Sequence, residues 1–189
     1  MKIKNLLLAL ALTTGLAQAD TFNIDTKGAH AFVQFKIQHL GYSWLYGRFD
    51  KFSGTFEYDK NDPSAASIEM TVDTTSVNSN HTMRDKHLRN DDFLNVEKFP
   101  TATFKSTAFT ESENGNGTML GDLTLNGVTN NIELDVKLIG AGKDPWGGHR
   151  RGYEAKGEIK LSDFKIKKSL GPKSESLFLT ISVEGIKQK

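Results

Sequence analysis

The sequence predicts an all-β protein: an extended eight-stranded antiparallel up-and-down barrel, with a short helix set between its strands near residues 82–94. Three observations predict it. Apolar and polar residues alternate with period two through most of the chain, the pattern of strands with one buried and one wet face. Turn chemistry punctuates the segments, with Asn114-Gly115-Asn116-Gly117 between two of them and Asn126-Gly127 opening the next turn. A single charged stretch, Arg84-Asp85-Lys86-His87-Leu88-Arg89-Asn90-Asp91-Asp92, breaks the alternation and locates the helix.

A short leading strand is expected near 21–25. Longer ones follow at 30–39, 47–58, 66–73, 101–109, 118–125, 131–139, 153–161 and 176–185. In the 30–39 strand Ala31, Val33, Phe35, Ile37 and His39 share one side, while Gln34, Lys36 and Gln38 share the other. Ile132, Leu134, Val136 and Leu138 alternate with charged residues, and Leu177, Leu179, Ile181 and Val183 do so with mostly polar ones. About eight long strands match a barrel just wide enough to hold side chains or one small ligand. Thr82-Met83-Arg84-Asp85 resembles a capping box, so the helix is expected from about 83 to 90. Asp85 with Arg89, and His87 with Asp91, stand at the i,i+4 spacing that lets side chains pair. The stretch Gly140–Gly152 reads as a loop longer than a hairpin needs, a length often tied to function.

The first residues read as an address. Lys2 and Lys4 precede a short apolar run from Leu6 to Leu16, and Ala17-Gln18-Ala19 has the A-x-A form of a signal-peptide cleavage site. The run is too short for a bilayer span, which needs about 20 residues. A signal peptide at 1–19 and one domain at 20–189 are therefore expected, the mature chain soluble and exported to the periplasm. Removing two lysines from the 24 basic residues leaves 22 against 23 acidic ones, a net charge of −1. That balance offers no whole-surface attraction to nucleic acid or anionic lipid. The chain has no cysteine, which excludes thiol catalysis and cysteine-based metal sites. A domain this size builds its core without disulfides.

Motifs for chemistry are sparse. No G-x-S-x-G occurs, so the serine-hydrolase elbow is missing. His30, His39, His81, His87 and His149 are the histidines. No H-E-x-x-H is present, and His81 and His87, six apart, fall about 120° apart around a helix. No metal is expected. Arg84, Arg89, Arg150 and Arg151 are candidates for a phosphate or polar head group, yet no Walker-type cradle accompanies them. Tyr42, Trp44 and Tyr46 cluster just after His39, with Phe49, Phe52, Phe56 and Tyr58 in the next strand. Aromatics with a polar tip suit a cavity rim or a barrel core.

Several runs, in order, carry a family resemblance. They are Ala29-His30-Ala31, Phe35-x-Ile37-x-His39-Leu40-Gly41-Tyr42-Ser43, Gly47-x-Phe49 and Phe52-x-Gly54. Arg84-Asp85-x-His87-Leu88-Arg89, Asp92-Phe93-Leu94 and Phe99-Pro100-x-Ala102-x-Phe104-x-Ser106-Thr107 follow, and Gly121-Asp122-Leu123-Thr124-Leu125-Asn126-Gly127-Val128-Thr129 completes the set. Across the mature chain the sequence closely resembles the YceI family of exported bacterial polyisoprenoid-binding proteins. It departs from the family pattern at His30-Ala31, where many relatives carry His-Ser, and at Lys160-Leu161-Ser162-Asp163-Phe164, where many carry Asn-Arg before Asp-Phe.

The resemblance implies a lipocalin-like barrel with an apolar tunnel for a long-chain isoprenoid amphiphile, a polyprenyl lipid or an isoprenoid quinone or its precursor. It implies no catalytic residues and no cofactor beyond that lipid. Strand parity then places Val33, Phe35, Ile37, Phe56, Leu123, Leu125, Ile132, Leu134, Val136 and Ile181 on the tunnel wall. His39, Tyr42, Trp44, Arg84, His87 and Trp146 are expected at the mouth. Such a ligand starts in a membrane, so transient membrane contact for lipid exchange is expected, and monomer and homodimer both remain open. Two rival readings stand beside the carrier. One is an enzyme acting on an isoprenoid or fatty amphiphile with a histidine acid or base. The other is a stress-related interaction protein with no physiological ligand.

Overall fold

The computed structural model describes residues 19–168 and 170–189; the segment read as a signal peptide lies, up to residue 18, outside the described residues. The strands are β1 (Asp20–Ile24), β2 (Phe32–His39), β3 (Ser43–Phe49), β4 (Phe52–Tyr58), β5 (Ser67–Asp73), β6 (Val77–Asn78), β7 (Thr101–Glu111), β8 (Gly117–Leu125), β9 (Val128–Lys143), β10 (His149–Lys160) and β11 (Ser176–Lys187). One α-helix, α1 (Thr82–Arg89), follows β6.

These strands close into an eight-stave antiparallel barrel. β11 pairs with β2 through its first half (Leu177↔Ile37 to Ser182↔Phe32) and with β1 through its last turn of ladder (Gly185↔Ile24 to Lys187↔Phe22). β2 pairs with β3, and β1 with β4. So β1 and β2 are two halves of one broken stave, and β3 and β4 two halves of the next. Each neighbour then pairs with its successor, from β4 through β5 and β7 to β11. Closure leaves no open edge around the middle of the wall, the device by which barrels avoid edge-to-edge association.

Both breaks have local causes. Between β1 and β2, the Asp25 carboxylate accepts the Gly28 N–H at 2.8 Å, and the Asp25 N–H donates to the Glu184 carbonyl at 2.7 Å. The single strand expected over 47–58 is likewise two. At Asp50 and Lys51 the ladder is diverted to the β5–β6 connection, through Asp50 N–H to Ser76 O at 3.2 Å and Asp73 N–H to Lys51 O at 2.9 Å.

The thirteen-residue loop expected at 140–152 is mostly strand. Pairing between β9 and β10 continues from Gly152↔Gly140 to His149↔Lys143, leaving only 144–148 as a turn. Asp144 organises that turn by accepting the Trp146 and Gly148 N–H groups at 3.0 and 2.7 Å. Glycine and alanine at 140–142 erase the apolar alternation without removing extended backbone, so the pattern failed where the geometry did not. A bulge adds one residue here: Tyr153 pairs with Leu138 and Gly152 with Gly140, leaving Ile139 outside the ladder and 65% exposed.

The helix spans 82–89 rather than 83–90, and its cap differs from the expected box. His81 is the N-cap, its Nδ1 accepting the Arg84 N–H at 3.2 Å. Asp85 reaches back to Ser79, accepting its N–H at 2.8 Å and its hydroxyl at 2.5 Å. The two expected i,i+4 pairs do not form: Arg89 approaches the Val77 carbonyl at 3.5 Å, and His87 packs on Phe93 with ring centroids 6.5 Å apart.

Strand directions place the β2–β3 hairpin, the Asn126-Gly127 turn, α1 and the 161–175 connection at one end, the helix end. The 59–66, 112–116 and 144–148 connections lie at the other. At the helix end β3 touches only the two residues of β6, Arg48↔Asn78 and Phe49↔Val77. The gap between β3 and β7 beyond them is covered by α1 and residues 90–100. The 161–175 connection folds as two 3₁₀ turns, Leu161–Phe164 and Pro172–Ser174, and buries Phe164 and Ile166 in the core cluster that also holds Phe35, Leu125 and Ile159.

Candidate functional site

The inward rows of the staves enclose a cavity of about 640 Å³, a volume within the range of small-molecule sites. Each stave contributes apolar side chains: Val33, Phe35 and Ile37 from β2, Phe56 from β4, Met70 and Val72 from β5, and Phe104 from β7. Leu123 and Leu125 come from β8, Ile132, Leu134 and Val136 from β9, Ala155 and Ile159 from β10, and Leu177, Leu179 and Ile181 from β11. All ten residues that parity put on the wall therefore line the cavity. Parity holds for these ten because both bulges fall elsewhere, at residue 107 in β7 and at residue 139 in β9.

Polar groups gather at the helix end. His39, His81, Arg84, His87 and Lys168 line the cavity there. On α1, Met83, Arg84, His87 and Leu88 share the inward face, the 1-2-5-6 spacing of one helical stripe. Arg84 is held by Ser79, donating through Nε to the hydroxyl at 2.8 Å and through a terminal nitrogen to the carbonyl at 2.6 Å. The helix is anchored almost wholly by its own flanks: Leu94 N–H donates to Leu88 O at 3.0 Å and Val96 N–H to Arg89 O at 3.1 Å, and no α1 residue is fully buried.

Aromatic and cationic stacking marks the other end. The Arg151 guanidinium lies 3.4 Å from the Tyr58 ring centroid and donates to the Tyr153 hydroxyl. Burial pushes the Tyr153 hydroxyl above its ordinary pKa, and the Arg151 hydrogen bond opposes the shift. Glu57 is the single carboxylate among the cavity residues and belongs to this end.

Three of the residues expected at the mouth are there: His39, Arg84 and His87. The other three are elsewhere. Trp44 pairs across the ladder with Gln38, which puts it on the outer face while Leu45 faces inward. There it meets Phe178 edge-on at 5.6 Å and Lys36, whose Nζ lies 4.6 Å from the indole centroid. Tyr42 is on the tip of the β2–β3 hairpin, 89% exposed. Trp146 stands in the 144–148 turn at the opposite end of the barrel, 5.5 Å from Arg150. Sequence reasoning missed Leu45, Met83, Leu88, Ile166 and Leu170, which also line the cavity. The helical stripe at 83, 84, 87 and 88 was the available signal for two of them.

A second polar cluster lies outside the barrel. Ligand atoms of Asp25, His30 and Glu184 fall within 4.8 Å of one another, a geometry that could hold a metal ion. Its cation is already supplied by the protein. Arg150 donates to Asp25 Oδ2 at 2.9 Å, to Glu184, and through Nε to Asp144 Oδ2 at 2.9 Å. The Gly28 N–H, with Arg150 and His30, holds the Asp25 carboxyl below the usual carboxylate range despite its burial. Arg150 does the same for Asp144, and its own pKa is raised in return. The cluster ties the β1–β2 break to β10 and β11.

Residues 22–184 match the YceI-like domain. The chain belongs to the YceI family. It is 55% identical to protein YceI of Escherichia coli O6:H1 over 181 residues, covering 96% of this chain and 94% of that one. The crystal structure of the Campylobacter jejuni YceI protein superposes with a TM-score of 0.72 at 30% identity, covering 99% of this chain and all of the other. A polyisoprenoid-binding domain from Saccharophagus degradans, implicated in plant cell wall breakdown, shares the fold at a TM-score of 0.62 and 18% identity, over 88% of this chain and 98% of that domain. The fold shared with these proteins is the closed barrel that encloses the cavity described above.

Proposed function

We propose that this YceI protein is a non-enzymatic carrier for a long-chain isoprenoid amphiphile in the periplasm. The apolar tail would occupy the barrel and the head group would lie among His39, Arg84 and His87. One observation carries the proposal: the interior is not filled by its own side chains. It keeps instead a cavity of about 640 Å³ with almost wholly apolar walls, the size and lining of a ligand site rather than of a packed core. A fold that keeps such a space is expected to be occupied. This also weighs against the rival in which the cavity is mere packing.

The tail supplies stability more than selectivity. Moving an isoprenoid chain from water would contribute about 0.8 kcal/mol per carbon, but the lipid starts in a membrane, and exchange between two apolar phases nearly cancels that term. Head-group contacts then decide what is carried. The titratable side chains lining the helix end are all basic or imidazole, so the head group should accept hydrogen bonds.

Mass spectrometry of an organic extract tests the proposal, using protein purified from its native periplasm without detergent. The expected result is an isoprenoid amphiphile at close to one per barrel; well-folded protein yielding no stoichiometric amphiphile would overturn the reading.

A further inference from the structure

The helix end carries an apolar surface that the cavity does not use. The β2–β3 hairpin turns at Leu40 and Gly41, both with positive φ (55° and 82°), and the Tyr42 N–H donates to the His39 carbonyl at 3.0 Å. Positive φ at both central positions is the type I′ pattern, where asparagine and glycine are favoured and leucine is strained. Leu40 nonetheless stands there 50% exposed, beside Tyr42 at 89%. An apolar residue held outward in a strained conformation gains nothing from the fold around it. Buried Ser174 fixes the tip in place, accepting the Leu40 N–H at 3.4 Å and donating to the Gln38 carbonyl at 2.6 Å.

Below the tip, Trp44 and Tyr46 on β3 and Phe178 on β11 form an outward aromatic belt, with Lys36 on the intervening β2 between them. Beside it runs the 161–175 connection. Its stretch 164–174 contains Lys165, Lys167, Lys168 and Lys173 and no acidic residue, and Lys173 touches the hairpin at Gly41. The opposite end is mixed, with Glu57, Asp59, Asp62, Glu111 and Glu113 beside Lys60, Lys143, Arg150, Arg151 and Lys187. The lysine-rich stretch, bounded by Asp163 and Glu175, is thus a local basic patch beside the hairpin on a protein whose net charge is near zero.

We infer that the helix end is a docking surface for an anionic phospholipid bilayer, set around the cavity mouth so that a lipid can pass between membrane and barrel. Tryptophan and tyrosine suit the head-group layer, lysines are drawn to anionic lipid within a Debye length, and an exposed leucine gains by leaving water. Aromatics, lysines and mouth share one end, which makes the charge complementary where the cavity opens. The inference rests on the carrier reading for its purpose, though not for its test.

The two tryptophans of the chain lie at opposite ends and serve as probe and control. In the Trp146→Phe variant, emission from Trp44 is expected to shift to the blue and resist a soluble quencher on addition of phosphatidylglycerol–phosphatidylethanolamine vesicles. It should not do so with phosphatidylcholine alone. In Trp44→Phe, emission from Trp146 should not change. Replacing Lys165, Lys167 and Lys173 with Glu should reduce the vesicle-bound fraction at least tenfold. Leu40→Asn, which suits the turn better, should keep or raise Tm while weakening binding. Equal responses from both tryptophans, binding indifferent to the lysines, or no binding at low salt would overturn the inference. A Trp44 response that depends on protein concentration without vesicles would also overturn it, assigning the face to a second copy. Mass spectrometry of the same samples keeps the two proposals apart: docked but lipid-free protein overturns the carrier reading alone, and lipid-loaded protein that ignores vesicles overturns docking alone.

Discussion

The Phe35 ring lies flat over Gly47, its cross-strand partner: a Cβ built on Gly47 would stand 2.3 Å from the ring's Cζ. The relationship recurs around the wall. Phe104 covers Gly121, Phe56 covers Gly185, and Phe109 covers Gly117, each within 2.8 Å of the missing Cβ. Inward phenylalanines normally fill a barrel of this size. Here a glycine on the neighbouring strand, or for Phe56 on β11 across the intervening β1, gives each ring a place against the wall, and the lumen stays open.

Gly47→Ala should therefore push the Phe35 ring into the lumen. Overpacking of this kind costs about 1–3 kcal/mol, which a domain of this size can bear. The expected outcome is a folded protein, by circular dichroism, that binds a fluorescent long-chain probe at least tenfold more weakly. Unchanged probe affinity would show that the rings do not set the size of the lumen.

His39→Gln and His87→Gln separate carrying from catalysis. As head-group contacts, each should weaken lipid retention by about 1 kcal/mol, roughly fivefold, with no product formed by either the variants or the parent. Among the described residues the imidazole paired with carboxylates is His30, on the outer surface, rather than either of these. Turnover of a candidate lipid by the parent, abolished in one variant, would establish the enzyme reading instead.

Ser174→Ala removes the clamp on the β2–β3 hairpin. Ser174 is 2% exposed, and its loss leaves the Gln38 carbonyl and the Leu40 N–H without their partner. Stranding such groups costs about 1–3 kcal/mol. Chemical denaturation should show a lower midpoint, and hydrogen exchange should quicken at residues 38–42 while the far end is unchanged.

The Asp25 cluster should hold until low pH and then fail. The folded-state pKa of Asp25 lies below its ordinary value of 3.8. Its contribution is therefore present above that value and disappears as pH falls through the folded-state pKa. Asp25→Asn is expected to lower Tm at pH 7, with the gap from the parent closing below about pH 3.8. A gap that stayed constant down to pH 2 would show that the charge of Asp25 does not stabilise the fold.

Strand identity was legible because one face of every stave is buried and the other wet, so period two survives in the residues themselves. The Asn126-Gly127 turn was legible for a similar local reason: both residues adopt positive φ, 50° and 72°, as their chemistry favours. Boundaries were less legible. Gly140, Ala141 and Gly142 carry no pattern, so the extension of β9 depends on the partner strand. The cap at His81 depends on where Ser79 and Asp85 meet.

Alternation needs only a strand's own geometry, so ten wall positions could be read from the residues alone, while in β3 Leu45 was missed and Trp44 was expected at the mouth but faces outward. The sequence placed every expected wall residue on the cavity. Which elements share a mouth was set by barrel closure. Trp44 and Trp146 look alike along the chain, but barrel closure sends them to opposite poles. That separation is a property of strand direction and pairing, which no local pattern encodes. The same closure decided that the rings of Phe35, Phe56, Phe104 and Phe109 rest on glycines rather than on one another, and so whether the interior is a core or a cavity.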